Sequence, residues 1–141
     1  MSHYLRSQIL KYKVYGDISF RDKNCPHETP EHMAFVNWVK KTHPVHYDML
    51  IHPKNEGVRT HHQAAKDRAL GSLNAGASDI IILGKTPFVC ELKRKDKTLS
   101  RLSDKQKSFL NQAVECGCFA CVAYGAEAVI EAFEDWLEEC N

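Results

Sequence analysis

Ala77-Ser78-Asp79-Ile80-Ile81-Ile82-Leu83-Gly84-Lys85-Thr86-Pro87-Phe88-Val89-Cys90-Glu91-Leu92-Lys93-Arg94-Lys95 is the stretch from which the fold can be read. Two apolar runs, Ile80–Leu83 and Phe88–Cys90, flank a Gly84-Lys85-Thr86-Pro87 turn signal. β-branched and aromatic residues bounded by Gly and Pro predict a hairpin of two buried strands. Three ionisable residues, Asp79, Glu91 and Lys93, interrupt this apolar pair. Residues opposed on antiparallel strands have numbers that add to a constant. A three-residue loop at Gly84–Thr86 pairs Leu83 with Pro87, makes that constant 170, and sets Asp79 opposite Glu91. Opposed Cβ atoms lie roughly 5 Å apart, so two carboxylates there repel unless a divalent cation joins them. Lys93, two residues beyond Glu91, falls on the same face. A two-residue loop would shift the register and break the arrangement.

The chain has 141 residues, 43% of them hydrophobic and 26% charged. That is room for one domain with a sizeable core and an ordinary globular composition. No apolar run approaches the roughly 20 residues of a membrane span, and no signal-peptide core is visible near the N-terminus. An intracellular, cytoplasmic protein with no membrane partner is expected. Of six cysteines, Cys116-x-Cys118-x-x-Cys121 is the one candidate cluster. On a strand, Cys118 and Cys121 point to opposite faces and cannot grip one ion, so free thiols are expected. The eight histidines show no zinc-site spacing, and the adjacent His61-His62, which would diverge on a helix, read as surface residues.

The net charge of +1 conceals an asymmetry. All 19 Lys and Arg lie in residues 1–107 with 11 of the 18 acids, giving +8 there and −7 from Ser108 onward. Lys93–Lys107 alone holds seven bases against Asp96 and Asp104. A basic segment starting at a carboxylate pair suits a polyanion; a solvated loop is the equal alternative.

Along the chain, residues 1–28 allow a hairpin around Gly16-Asp17 or an arm that packs on a partner. Residues 29–141 form the domain proper. Thr29-Pro30-Glu31 reads as a helix start, with Thr29 as N-cap and a helix to about Lys41. Glu31 shares its apolar stripe with Ala34, Phe35 and Trp38, facing either a site or simply the helix dipole. Val45–Ile51 reads as a strand, residues 52–60 as a loop holding Lys54 and Arg59, and Thr60 as the cap of a short helix ended by Gly71. Ser103-x-x-Gln106 forms a capping box for a helix ending at Gly117. That gives Gln106 a structural role beside any role at a site. A strand over Cys118–Tyr124 and a helix with Val129, Ile130, Phe133, Trp136 or Leu137, and Cys140 on one stripe complete the chain.

The order helix, strand, short helix, two strands, helix, strand, helix, with Asp79 opening one strand and Glu91-x-Lys93 closing the next, resembles the PD-(D/E)XK, restriction-endonuclease-like nucleases. The runs Asn55-Glu56-Gly57-x-Arg59, Gly76-Ala77-Ser78-Asp79, Glu91-Leu92-Lys93-Arg94 and Leu102-Ser103-x-x-Gln106 resemble the VRR-NUC family more closely, over about residues 29 to 124. Ser78 stands where that family usually has proline. The resemblance implies an α/β fold: a restriction-endonuclease-like αβββαβ core with a mixed central sheet flanked by helices, and a short helix inserted after the first core strand. It further implies metal-dependent hydrolysis of DNA phosphodiesters. In those terms Asp79 and Glu91 bind Mg²⁺ or Mn²⁺ with the Leu92 carbonyl. Glu31, or alternatively Glu28, adds a carboxylate. Lys93 orients the attacking water, and Gln106 supports the site. Arg59, Arg94, Lys95, Lys97, Arg101, Lys105 and Lys107 would hold phosphates. Small phage-type relatives imply a homodimer cutting branched DNA such as four-way junctions in a bacterial or phage-infected cytoplasm. A flap or single-strand nuclease, a non-catalytic DNA-binding module and a small interaction protein are the alternatives.

Overall fold

A computed structural model describes residues 11–53, 60–71 and 75–140. The hairpin of β3 (Ile80–Ile82) and β4 (Phe88–Lys93) forms in the expected register, Ile80 facing Cys90, Ile81 facing Val89 and Ile82 facing Phe88. β4 is the central strand and buried along its whole length. Its other edge pairs in parallel with β5 (Phe119–Tyr124), from Phe88 against Phe119 to Lys93 against Tyr124. β1 (Lys13–Tyr15) lies parallel to β5 on the far edge, and β2 (Leu50–Ile51) lies antiparallel to β3 on the other. The sheet order is β1-β5-β4-β3-β2.

Helices cover both faces. On one side, α1 (Glu28–Thr42) and α5 (Ala126–Cys140) enclose the main core of Phe35, Val39, Phe88, Leu92, Phe133 and Trp136. Each such side chain, fully buried, contributes roughly 1.5–3 kcal/mol. The Trp136 indole N–H also donates to the Thr86 carbonyl at 2.8 Å, fastening α5 to the hairpin turn. On the other side, α4 (Asp104–Glu115) lays Leu110, Phe109, Ala113 and Val114 over Val89, Ala120 and Val122. Its capping box, Ser103 with Gln106, is present, and Gly117 ends it with a φ of 88°. A shorter α3 (His61–Ala69) carries the Thr60 cap, reciprocated by Gln63.

Three expectations are corrected. Val45–Ile51 is not one strand. Pro44 occupies the first turn of a short helix, α2 (Pro44–Asp48), and only Leu50–Ile51 joins the sheet. A proline that ends one helix also pre-sets φ for starting the next. Val45, 73% exposed, has no strand face to bury. The hairpin around Gly16-Asp17 does not form either. Asp17 Oδ1 accepts from the Ser19 N–H and hydroxyl at 2.9 and 2.5 Å, a local turn that competes with strand pairing. Lys13–Tyr15 instead joins the protein's own sheet, so this part of residues 1–28 is no arm reserved for a partner. Finally, α1 starts at Glu28 after His27, which makes no side-chain cap bond, and Thr29 lies inside the helix.

All six cysteines are free. Cys121 sits in the main core and Cys118 packs on the α4 side, the opposite faces that a strand dictates. Among the described residues, no helix is long and apolar enough to cross a membrane.

Candidate active site

Alternation along β4 sorts its side chains. Phe88, Cys90 and Leu92 enter the core under α1 and α5, so Val89, Glu91 and Lys93 face α4. Glu91 and Lys93, 2% and 7% exposed, are thus charged groups on a central strand. Burial of that kind persists only where partners exist. Gln106 supplies them from the first turn of α4. Its Nε2 donates to Glu91 Oε1 at 2.8 Å, and its Oε1 accepts from Lys93 Nζ at 3.3 Å and from the Ser103 N–H at 2.9 Å. Lys93 Nζ lies 3.8 Å from Glu91 Oε1. One amide side chain therefore closes the capping box and ties the two charged residues together.

Beyond Ile80 the ladder ends, and the Leu92 N–H donates to Asp79 Oδ2 at 3.0 Å. Carried one step past Ile80, the register brings Asp79 across from Glu91, near enough for the two side chains to interact. Burial, then the charge of Asp79, pushes the Glu91 carboxyl up to about 9, with Lys93 opposing and Glu28 adding to the rise. Glu91 Oε2 is buried and has no hydrogen-bond partner among the described residues. A buried, unpartnered carboxylate oxygen beside a second carboxylate is a donor set that suits a hard divalent cation. No cluster of three or more His, Cys, Asp or Glu among the described residues is close-set enough to hold an ion by itself. Mg²⁺ needs no such cage, since it is commonly held by one or two carboxylates and keeps several waters.

A cavity of about 250 Å³ opens beside Asp79, lined by Glu28, Thr29, His32, Met33, His52, Asp79 and Leu92. His52 Nδ1 bonds the Asp79 carbonyl at 2.7 Å, and the His32 ring meets His52 edge-on at 4.4 Å. A carbonyl only accepts, so this nitrogen carries the hydrogen. Neither histidine was legible as a site residue. The signal is the β2–β3 register, Ile51 facing Ile81, which brings His52 beside the start of β3.

Glu31 does not join this group. It faces inward as its stripe predicted, but what it meets is α5: its Oε2 accepts the Ala126 N–H at the helix start. The helix carboxylate lining the cavity is Glu28, one turn earlier. Arg94 turns away from solvent phosphates, its Nη2 donating to the Cys25 carbonyl at 2.6 Å and its Nε to the Pro26 carbonyl at 3.3 Å. Lys95 Nζ lies 4.6 Å from the Phe20 ring centroid. Lys97, Arg101, Lys105 and Lys107 are exposed. Arg59, with the Asn55–Arg59 run, lies outside the described residues. Upstream of Asp79, Gly76 packs so closely on α4 that a Cβ would overlap the Lys105 carbonyl. Ser78 is buried with its hydroxyl unpartnered among the described residues.

Among solved structures, the chain is similar to one described as a VRR_NUC domain protein. The two are 23% identical, with a TM-score of 0.67 over 82% of this chain and 91% of that one. The chain has the fold of a VRR-NUC domain. No protein-family model and no curated protein matches it. The resemblance read from its motifs is met at the level of the fold.

Proposed function

We propose that this VRR-NUC-like chain is a metal-dependent, structure-selective DNA endonuclease. The observation that carries the reading is the hairpin register. Carried one step past Ile80 it puts Asp79 across from Glu91, and alternation along β4 leaves Lys93 Nζ 3.8 Å from Glu91 Oε1 under a shared glutamine. Asp79, Glu91 and the Leu92 carbonyl would hold the ion, with Glu28 rather than Glu31 as the helix carboxylate. Mg²⁺ or Mn²⁺ bound there supplies Lewis acidity, acidifying a water and offsetting charge on the scissile phosphate. Lys93, kept by Gln106 beside Glu91, orients the water and stabilises negative charge as it develops. Asp79 is steadied by the Leu92 N–H and, through its carbonyl, by His52. Lys97, Arg101, Lys105 and Lys107 grip the phosphate backbone without reading sequence.

Branched DNA, four-way junctions in particular, is the proposed substrate, and a two-fold homodimer would set two sites on one symmetric junction. The test is cleavage of labelled junction and flap substrates by wild type and Lys93→Ala, with Mg²⁺ and with EDTA. Wild type is expected to cut the junction in Mg²⁺ alone, and Lys93→Ala to lose about a hundredfold or more in rate. Equal cutting by the two proteins overturns the site; a preference for the flap overturns only the choice of substrate. Sedimentation then reads the assembly, with twice the 16.1 kDa of one chain expected.

A further inference from the structure

The start of α1 carries Glu28, which lines the cavity with Asp79, yet this helix has no side-chain cap at its N-terminus. His27 makes no side-chain cap bond, and residues 16–27 form no helix or strand. What fixes this segment is the exit of β4. Three consecutive residues there each take hold of it. Arg94 donates to the Cys25 and Pro26 carbonyls at 2.6 and 3.3 Å. Lys95 lies over Phe20. Asp96, 2% exposed, accepts the Asp22 N–H at 2.9 Å while also binding the Thr98 N–H and hydroxyl at 2.9 and 2.6 Å. Pro26 is two residues from Glu28, and Arg94 is one residue from Lys93. The strand that ends in the charged pair therefore also clamps the helix that brings the next carboxylate.

We propose that Arg94 is a positioning residue for Glu28: its two-pronged bond to the Cys25 and Pro26 carbonyls sets the first turn of α1 so that Glu28 faces Asp79 across the cavity, as an outer carboxylate toward a cation held by Asp79 and Glu91. This rests on the reading of the site as one for a divalent cation. Two carbonyls on successive residues suit a planar fork whose donors are fixed apart, whereas the three donors of a lysine share one nitrogen on a flexible stem and fix the geometry less well. A phosphate contact, in contrast, tolerates either cation.

The experiment is Mn²⁺ binding, followed by the electron paramagnetic resonance of the free ion. The proteins are wild type, Arg94→Lys, Arg94→Ala, Glu28→Gln and the Arg94→Ala/Glu28→Gln double variant. Arg94→Ala and Arg94→Lys are each expected to weaken binding about tenfold or more, the scale on which outer partners of metal ligands act. The double variant is expected to bind no more weakly than Glu28→Gln alone. Wild-type affinity in Arg94→Lys, or losses that simply add in the double variant, overturns the proposal. Amide hydrogen exchange of metal-free protein separates the two readings. If wild type binds no Mn²⁺, the cation reading falls. The clamp is then judged by exchange over residues 25–31, which should quicken in both Arg94 variants and, if unchanged, overturns it too.

Discussion

Two demands press on Glu91 in the same direction: a dry strand disfavours its charge, and a facing Asp79 disfavours it further. Its folded proton affinity, about 9 against an ordinary 4.5, means that the native state keeps a proton the unfolded chain gives up. The associated stability is complete below the unfolded value and is lost as pH rises through the folded one. In EDTA, the melting temperature of wild type should fall between pH 5 and pH 9 relative to that of Glu91→Gln, whose amide cannot titrate. Mg²⁺ should recover the loss at the alkaline end. Parallel melting curves for the two proteins would show that Glu91 keeps no such proton. At this scale the sequence exposed a good deal. The shared face of Asp79, Glu91 and Lys93 followed from periodicity and one loop length; the capping box gave Gln106 a structural role, and only the family resemblance pointed it at the site. The choice between Glu28 and Glu31 was not legible. An apolar stripe says which way a helix faces, whereas the cavity lies at the helix end, where position along the axis decides.

Among the elements, the contact between the lead to β3 and the start of α4 governs the site most directly, because Gln106 sits in that first turn. Gly76 leaves no room for a side chain against the Lys105 carbonyl. Gly76→Ala should therefore push α4 outward and destabilise the fold by about 1–3 kcal/mol, the usual range for overpacking, as read by chemical denaturation. Cleavage should suffer beyond that, since Gln106 moves with the helix; unaltered stability would mean that the contact yields. The β3–β4 hairpin was readable because side-chain alternation and a Gly-Pro turn agreed with each other. Pro44 misled because the same residue serves to break a helix and to begin one. The segment before α1 has no periodicity at all. What fixes it is Arg94, Lys95 and Asp96, roughly seventy residues away in sequence, which no local pattern can reveal.

Over the whole molecule, the charge asymmetry of the sequence becomes a spatial one. The exposed bases Lys105 and Lys107 ride on α4, and Glu127, Glu131, Glu134 and Glu138 on α5, on opposite faces of the sheet. On the proposed reading, a polyanion would be drawn to the α4 side, where Glu91 and Lys93 also face. Replacing Lys97, Arg101, Lys105 and Lys107 with glutamine in an Asp79→Ala background should reduce the slope of log Kd against log salt by about 3.6 if each holds one phosphate, at roughly 0.9 per contact. Arg94→Ala in that background should leave the slope unchanged. The reverse outcome would move the DNA path to the other face. The sequence supplied the imbalance of charge, but only the fold says which layer each half occupies.

The edge strand β1 pairs with β5, so the earliest strand of the sheet to be made lies beside the last. During synthesis Lys13–Tyr15 has no partner until Phe119–Tyr124 has left the ribosome. β4, too, lacks its parallel neighbour until that moment. Non-local pairing of this kind slows folding, because a long loop must close before any contact rewards it. Ordering of the segment that leads from β1 into Glu28 waits on the same event. The nascent chain thus carries the proposed site unfinished until β5 is made.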